Sequence, residues 1–257
     1  MAIFHVRSNS LPSKSHPLVN HVEDHLQRLK SSEETSTSGT SVSARLASLR
    51  ELHEGVENLM QMSSIQQALA AEGSEKWTNE LLEQSLGLVD LCGFAREVLS
   101  LIKGSAQELQ SSIRRSRGDN ATTGDISAYL TSRKKINKMI SKFIKNFKSF
   151  NKNWTALLDD ESDLKVIMEM LKQTTEFDFA VLKSALMVLS TEKGRSKKSS
   201  WSLTSMFTQG VDTADVQNVF EQLKSSELAV QELEEELEAF YRTLVKTRVS
   251  LLNVLNH

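Results

Sequence analysis

The chain has 257 residues, of which 39% are hydrophobic and 25% charged, and its 31 Lys and Arg against 33 Asp and Glu give a formal net charge of −2. This balance is typical of a globular protein with a sizeable core and excludes a disordered or strongly basic chain. Ten glycines and an aromatic content of 6% argue against an all-β fold. Because the net charge is slightly negative and no recognition motif occurs, we expect no nucleic-acid partner.

Both prolines, Pro12 and Pro17, lie at the N-terminal end of the chain. A proline inside a helix removes a hydrogen bond and costs about 3 kcal/mol. The proline-free remainder therefore predicts long helices. We expect residues 1–40 to form a flexible arm with one short helix and a Ser/Thr-rich linker, and residues 41–257 to form a helical bundle.

The short helix is predicted to begin at Pro17, because proline suits a first turn whose amide has no partner. Val22, Leu26 and Leu29 give this helix an apolar stripe, and the polar stretch 31–41 follows as the linker.

Through the rest of the chain, apolar residues recur at steps of three and four, the helical period. The stretches with this period are about 43–73, 75–115, 125–154, 163–190 and 212–256. A basic, Ser-rich segment at 191–212 predicts a flexible loop. Together these stretches predict an all-α fold, an elongated antiparallel bundle of about five long helices plus the short N-terminal helix.

The stretch 81–102 is apolar on almost every side. A membrane span is disfavoured because Asp90, Arg96 and Glu97 lie inside it, and each is costly at a bilayer centre. We therefore expect a buried central helix in which Cys92 is a small core residue.

The last predicted helix carries an apolar seam with alternating steps of four and three, a coiled-coil-like pattern. The seam consists of Val219, Leu223, Ser226, Val230, Leu233, Leu237, Phe240, Leu244, Thr247, Leu251 and Val254. It either packs within the chain or allows self-association of two copies. The first alternative is favoured because the other helices need a partner of this length.

The arm contains a candidate regulatory motif. Arg7, Ser8, Ser10 and Pro12 fit the pattern R-S-x-S-x-P, which 14-3-3 proteins bind when the second serine is phosphorylated. Phosphate adds about −1.5 to −2 charge and acceptor oxygens that suit an arginine cluster. The alternatives are a chance match and an arm that docks on its own bundle. Ser200, in the basic loop, is a second candidate.

A basic amphipathic helix is the other candidate site, since no acidic residue lies between Asp125 and Asp159. Its basic residues recur at helical spacing: Arg133, Lys134, Lys135, Lys138, Lys142, Lys145, Lys148 and Lys152. Its other side is apolar: Ile136, Met139, Ile140, Phe143, Ile144, Phe147, Phe150 and Trp154. Such helices are typical of proteins that bind an anionic membrane surface or a partner.

The alternative is a structural role for the basic face. Under this alternative, glutamates of the last helix lie against the lysines within the bundle as counter-charges: Glu221, Glu227, Glu232, Glu234, Glu235, Glu236 and Glu238. In that arrangement the lysines would be neutralised internally and the membrane hypothesis would weaken.

Signals for catalysis and metal binding are missing from the sequence. No phosphate-binding glycine motif occurs, and His21 and His25 alone lack a complete metal shell. We therefore expect no enzyme activity, no catalytic residue, no metal and no cofactor. A site for a small molecule in the bundle core is a third hypothesis, which a polar cavity with converging charged groups would favour.

Cys92 is the only cysteine, so no internal disulfide forms and a reducing compartment is expected. The start MAIFHVRSNS lacks the apolar segment of a secretory signal. We expect a cytoplasmic protein, membrane-peripheral if the basic helix binds lipid. A chloroplast address is the alternative, because the first 22 residues are free of acid.

Four stretches of the chain resemble the plant BYPASS-like family: RSNSLPSKSHPLVNHVEDHLQRLK, LVDLCGFAREVLSLIK, WSL and LEAFYRTLVKTRVSLLNVLNH. After WSL, the sequence MFTQGVD departs from the basic stretch expected there. The resemblance implies a helical domain of unknown function with a role in root and shoot development, through restraint of a mobile root-derived signal. It implies no catalytic residues. The leading hypothesis is thus a non-enzymatic helical interaction or regulatory protein; the alternative is a peripheral membrane protein that binds anionic lipid through residues 133–152.

Overall fold

The computed structural model describes residues 16–32, 39–70, 75–116, 121–147, 163–190 and 213–255. These residues form seven α-helices: α1 (Pro17–Ser32), α2 (Gly39–Met60), α3 (Ser63–Ala70), α4 (Glu75–Ser116), α5 (Ala121–Phe147), α6 (Asp163–Leu189) and α7 (Thr213–Leu255). No strand occurs within the described ranges. The predicted all-α fold is therefore confirmed, with five long helices and the short N-terminal one. The loop predicted at 191–212 lies outside the described residues.

The helix predicted over 43–73 is divided in two. The Met62 amide donates to the Leu59 carbonyl at 3.1 Å, three residues back, and the Ile65 amide donates to Met62 at 3.0 Å. This tighter pairing ends α2 and begins α3, although apolar spacing continues through the break. Periodicity alone does not show the break, because Ile65 and Leu69 of α3 are buried like the residues before them.

Helix α1 belongs to the core, although the predicted boundary at residue 40 places it in a flexible arm. Its residues Val19, Val22, Leu26 and Leu29 are buried in the same apolar cluster as the other helices. The stripe packs against α2 and α6. Burial of four apolar side chains, each worth about 1.5–3 kcal/mol, fixes this helix on the bundle.

Helix α7 packs mainly against α4 and α2. It runs antiparallel to α4, because Arg248 Nη1 donates to Ser85 Oγ at 2.8 Å, while Lys103, later in α4, pairs with Glu234, earlier in α7, at 2.5 Å. The described seam residues of α7 are all buried within the chain: Leu223, Val230, Leu233, Leu237, Phe240, Leu244, Thr247, Leu251 and Val254. The side chains of Val219 and Ser226 lie outside the described set.

The middle of α4 is buried on a wide face that contacts α5, α6 and α7. Its outer side is not fully covered, because Leu86 is 45% and Leu101 42% exposed. Among the described residues, none of the helices has the length and apolar character needed to span a membrane.

Two apolar clusters make up the interior. The larger contains residues from all seven helices. The smaller consists of Leu109, Ile126, Tyr129 and Leu223, and it joins the C-terminal half of α4 to the first halves of α5 and α7.

Two helical glycines differ in the space around them, and this difference predicts opposite effects of alanine. A Cβ on Gly104 meets no atom within 4 Å, so Gly104→Ala should stabilise by about 1 kcal/mol through reduced backbone entropy. A Cβ on Gly55 meets Val22 Cγ2 at 3.0 Å and His21 Nδ1 at 3.3 Å. Gly55→Ala should therefore destabilise by about 1 kcal/mol net, because overpacking between α1 and α2 exceeds the entropic gain. Urea denaturation followed by circular dichroism measures both changes, and equal stabilisation by the two alanines would refute a tight α1–α2 contact.

Candidate functional site

Helix α5 displays its basic residues on one side. Lys134, Lys135, Lys138, Lys142 and Lys145 are exposed. With 3.6 residues per turn they fall within an arc of about 100°, which we call the lysine face. A shallow depression of about 410 Å³ runs along it, lined by Lys138, Lys142, Lys145 and neighbouring polar side chains. Lys148 and Lys152 lie outside the described residues.

Arg133, predicted as part of this basic face, does not lie on it. The residue is only 3% exposed, and its Nη2 donates to the Leu189 carbonyl oxygen of α6 at 2.8 Å. The reason is its helical position, since Arg133 stands three and seven residues before the buried Ile136 and Ile140. This spacing is present in the sequence, and it predicts that Arg133 lies on the apolar side of the helix, away from the lysines. Burial lowers the pKa of the guanidinium, and nearby Tyr129 opposes this shift.

Three of the α7 glutamates pair with basic residues outside α5. Glu234 pairs with Lys103 of α4, and Glu236 pairs with Arg50 of α2 at 3.5 Å. Glu238 bonds Arg96 of α4, and it also pairs with Arg242 of α7 at 3.1 Å. Apart from Arg242, these partners lie on the two helices that α7 packs against.

The lysine face lacks described counter-charges. Among the described residues, no ion pair joins it to a carboxylate. Helix α5 makes its main contacts with α4 and α6 rather than with α7. The internal neutralisation considered for Glu234, Glu236 and Glu238 is therefore not what the structure shows. Glu221 lies outside the described side chains.

The apolar side of α5 is already occupied by its own chain. Phe143 stacks on Phe94 of α4 with ring centroids 3.9 Å apart, and Phe147 stacks near Phe179 of α6 at 5.5 Å. Ile136 and Ile140 are buried in the main core. The surface of α5 that a partner could contact is thus mainly charged, because most of the hydrophobic side chains of this helix pack against its own chain.

A pocket of about 790 Å³ lies between α4, α5 and α7, and we call it the Arg133 pocket. Its apolar lining includes Ile102, Ala106, Leu130, Leu223 and Val230. Its polar lining includes Lys103, Tyr129, Arg133, Glu227, Glu234, Glu235, Glu238 and Arg242. No sequence pattern indicates this pocket directly, because its residues come from three helices far apart in the chain.

A buried polar cluster joins α2, α6 and α7. His53 lies 2.9 Å from Asp178 Oδ2 through Nε2 and 3.1 Å from Thr247 Oγ1 through Nδ1. Asp178 is fully buried, His53 is 4% exposed and Thr247 9% exposed. The order Thr–His–Asp matches a nucleophile, a base and an orienting acid. The adjoining cavity of about 40 Å³ has no room for a substrate, so we assign the cluster a structural role.

Only Thr247 of this cluster belongs to the predicted seam; His53 and Asp178 were not singled out. A signal existed, because both occupy positions of apolar periodicity: His53 stands four residues after Leu49 and three before Val56, and Asp178 stands three and four residues before Val181 and Leu182.

Cys92 is a buried core residue, and burial raises the pKa of its thiol to about 12, which leaves it unreactive at neutral pH. The rings of His21 and His25 contact each other at 4.6 Å, and burial is the main cause that lowers the pKa of His25. Within the described ranges no group of three or more potential ligands is placed to hold a metal ion.

The candidate phosphorylation motif of Arg7, Ser8, Ser10 and Pro12 lies outside the described residues, as does Ser200. Both therefore stay predictions from the sequence.

The buried cluster predicts a large asymmetry between two aspartates. Asp178→Ala should lower the free energy of unfolding by about 3–5 kcal/mol, because it leaves His53 buried without its acidic partner. Asp90→Ala, at an exposed position of α4, should change it by less than about 0.5 kcal/mol. Urea denaturation of both variants measures the difference, and a similar small loss in each would contradict a stabilising role for the cluster.

Comparison with known proteins assigns the chain to a family. A profile of the family described as Protein BPS1 matches residues 45–254. No curated protein and no solved structure matches. The matched segment begins in α2 and ends in α7, so it contains the lysine face, the Arg133 pocket and the buried polar cluster, while α1 lies before it. Because this match covers most of the chain, the protein belongs to the BYPASS1 (BPS1) family.

Proposed function

We propose that the protein is a non-enzymatic, helical interaction protein that binds an anionic partner through the lysine face of α5. Its biological role would be regulatory, in root and shoot development, as the resemblance to the plant BYPASS-like family implies. The observation that carries the proposal is a set of five exposed lysines for which the described residues supply no paired carboxylate. Like charges held this close repel one another, so an anionic partner would relieve the repulsion.

An anionic membrane surface is the candidate partner that this geometry favours. The lysines from Lys134 to Lys145 lie along one side of α5 over about 16 Å, which suits a flat, negatively charged surface. Each lysine near such a surface contributes about 1 kcal/mol. Because Phe143 and Phe147 pack inside the bundle, binding would be electrostatic and reversible rather than insertive.

We propose a cytoplasmic location, with peripheral attachment to a membrane. A chloroplast location is the alternative and would leave the same face available to anionic lipid there.

Charge reversal on the lysine face tests the proposal. Lys138→Glu/Lys142→Glu should weaken co-sedimentation with vesicles of phosphatidylserine and phosphatidylcholine by about 30-fold or more, because two contributions of about 1 kcal/mol are lost and repulsion is added. The wild-type protein should not bind vesicles of phosphatidylcholine alone, and its binding should decline as salt rises.

The matched control is Lys30→Glu/Lys224→Glu, which changes the net charge equally at exposed positions of α1 and α7. It should retain most of the binding. Equal loss in both double variants would show a general charge effect and remove the lysine face from the function. Absence of wild-type binding to the anionic vesicles would exclude lipid and leave an acidic protein as the partner.

Regulation through the arm is a separate proposal. Phosphorylation of Ser10 would complete the R-S-x-S-x-P motif and recruit a 14-3-3 protein. A peptide of residues 4–16 phosphorylated at Ser10 should retain 14-3-3 protein in a pull-down, whereas the unphosphorylated peptide should not. Equal retention by the two peptides would end this proposal.

A further inference from the structure

The Arg133 pocket has the size and lining of a small-molecule site. Its volume of about 790 Å³ falls within the range of about 300–1,000 Å³ that is usual for such sites. Apolar side chains from α4, α5 and α7 form much of the wall, among them Ile102, Leu130 and Val230. Apolar contact of this kind favours a ligand with a hydrophobic body.

Arg133 is the unusual group in the wall. It is 3% exposed, and one guanidinium nitrogen, Nη2, is bonded to the Leu189 carbonyl oxygen. The other terminal nitrogen, Nη1, is buried and has no hydrogen-bond partner among the described residues. No described carboxylate forms an ion pair with this arginine. A buried cation without counter-charge is unfavourable, and an anionic group that reached it would be bound strongly.

Tyr129 adds a second polar group to the same wall. It lies one helical turn before Arg133 on α5 and is 7% exposed. Burial raises the pKa of its phenol, which therefore stays protonated at neutral pH. A protonated phenol can donate a hydrogen bond to an oxygen held by the neighbouring guanidinium.

The opposite wall limits how much negative charge the ligand carries. Glu227 and Glu235 of α7 line the pocket and are exposed. Glu234 and Glu238 also line it, although they pair with Lys103 and with Arg242 respectively. A phosphate ester or other polyanion would be repelled by these carboxylates. A molecule with one negative charge at Arg133 and a neutral body would avoid them.

We propose that this pocket binds a small amphipathic monocarboxylate, with its carboxylate at Arg133 and Tyr129 and its apolar body against α4 and α7. The pocket is distinct from the lysine face, so the proposal of ligand binding is independent of the proposal of membrane binding. A bound ligand would contact α4, α5 and α7 at the same time.

Isothermal titration with two probe acids tests the site in the full-length protein. Decanoate and 2-naphthoate, as a linear and a ring-containing monocarboxylate, should bind at least 10-fold more tightly than 1-decanol and 2-naphthalenemethanol. Inorganic phosphate at the same concentration should not compete. If neither acid binds more tightly than its alcohol, the proposal is wrong.

Two variants locate the binding. Arg133→Met keeps the length of the side chain and removes its charge, so it should abolish the preference for acid over alcohol. Ala106→Phe fills the pocket and leaves Arg133 in place, so it should weaken both acids at least 10-fold. Arg50→Met, which removes an arginine that pairs with Glu236 outside the pocket, is the matched control and should leave affinity unchanged.

Circular dichroism and thermal unfolding show whether each variant is folded. A folded Arg133→Met protein that binds the acids as tightly as the wild type would overturn the proposal. If Arg133→Met does not fold, Ala106→Phe decides the matter, since undiminished binding in that variant would place the probes outside the pocket.

Discussion

The burial of the α7 seam against α4 and α2 is the constraint on which the rest of the structure depends. Leu237 and Phe240 are fully buried at the middle of a 43-residue helix, and Leu244 and Leu251 continue the contact toward its end. Each such side chain contributes about 1.5–3 kcal/mol relative to an exposed one. A helix of this length would not be stable at its full extent without that packing.

The same contact sets the direction and register of the helices. The bonds from Arg248 to Ser85 and from Lys103 to Glu234 hold α7 antiparallel to α4. His53, bonded to Thr247 and Asp178, ties α2 and α6 to the same helix. An apolar seam alone tolerates small shifts along the helix axis, whereas a buried polar cluster is satisfied in one register, because an unpaired polar group in the core is costly.

The position of α7 also determines how charge is distributed over the surface. Three of its glutamates, Glu234, Glu236 and Glu238, pair with Lys103, Arg50 and Arg96 of α4 and α2. Helix α5 packs mainly on α4, and its lysines face outward. A chain with a formal net charge of only −2 thus carries a concentrated basic surface on one helix. Asp178 and Arg133 each have one buried polar atom without a partner among the described residues, but Asp178 is bonded to His53 beside a cavity of about 40 Å³, whereas Arg133 lines a pocket large enough for a ligand.

The helical class, the five long helices, the apolar seam of α7 and the lysine spacing could be predicted from the sequence, although whether the seam packs within the chain could not. Each follows from local information: proline placement, the period of 3.6 residues and the charge of a single segment. The sequence also contains the spacing that puts Arg133 on the apolar side of α5. Grouping this residue with the lysines by charge alone hid that position.

The pairing of charged side chains from different helices became visible in the tertiary structure alone. This structure showed that α1 packs into the core, that three α7 glutamates pair with α2 and α4, and that His53, Asp178 and Thr247 converge from three helices. It likewise brought Arg133 and Tyr129 beside residues of α4 and α7 around one pocket. The physical reason is that periodicity fixes which face of a helix is buried, whereas the neighbour against that face depends on how all the helices share a single core.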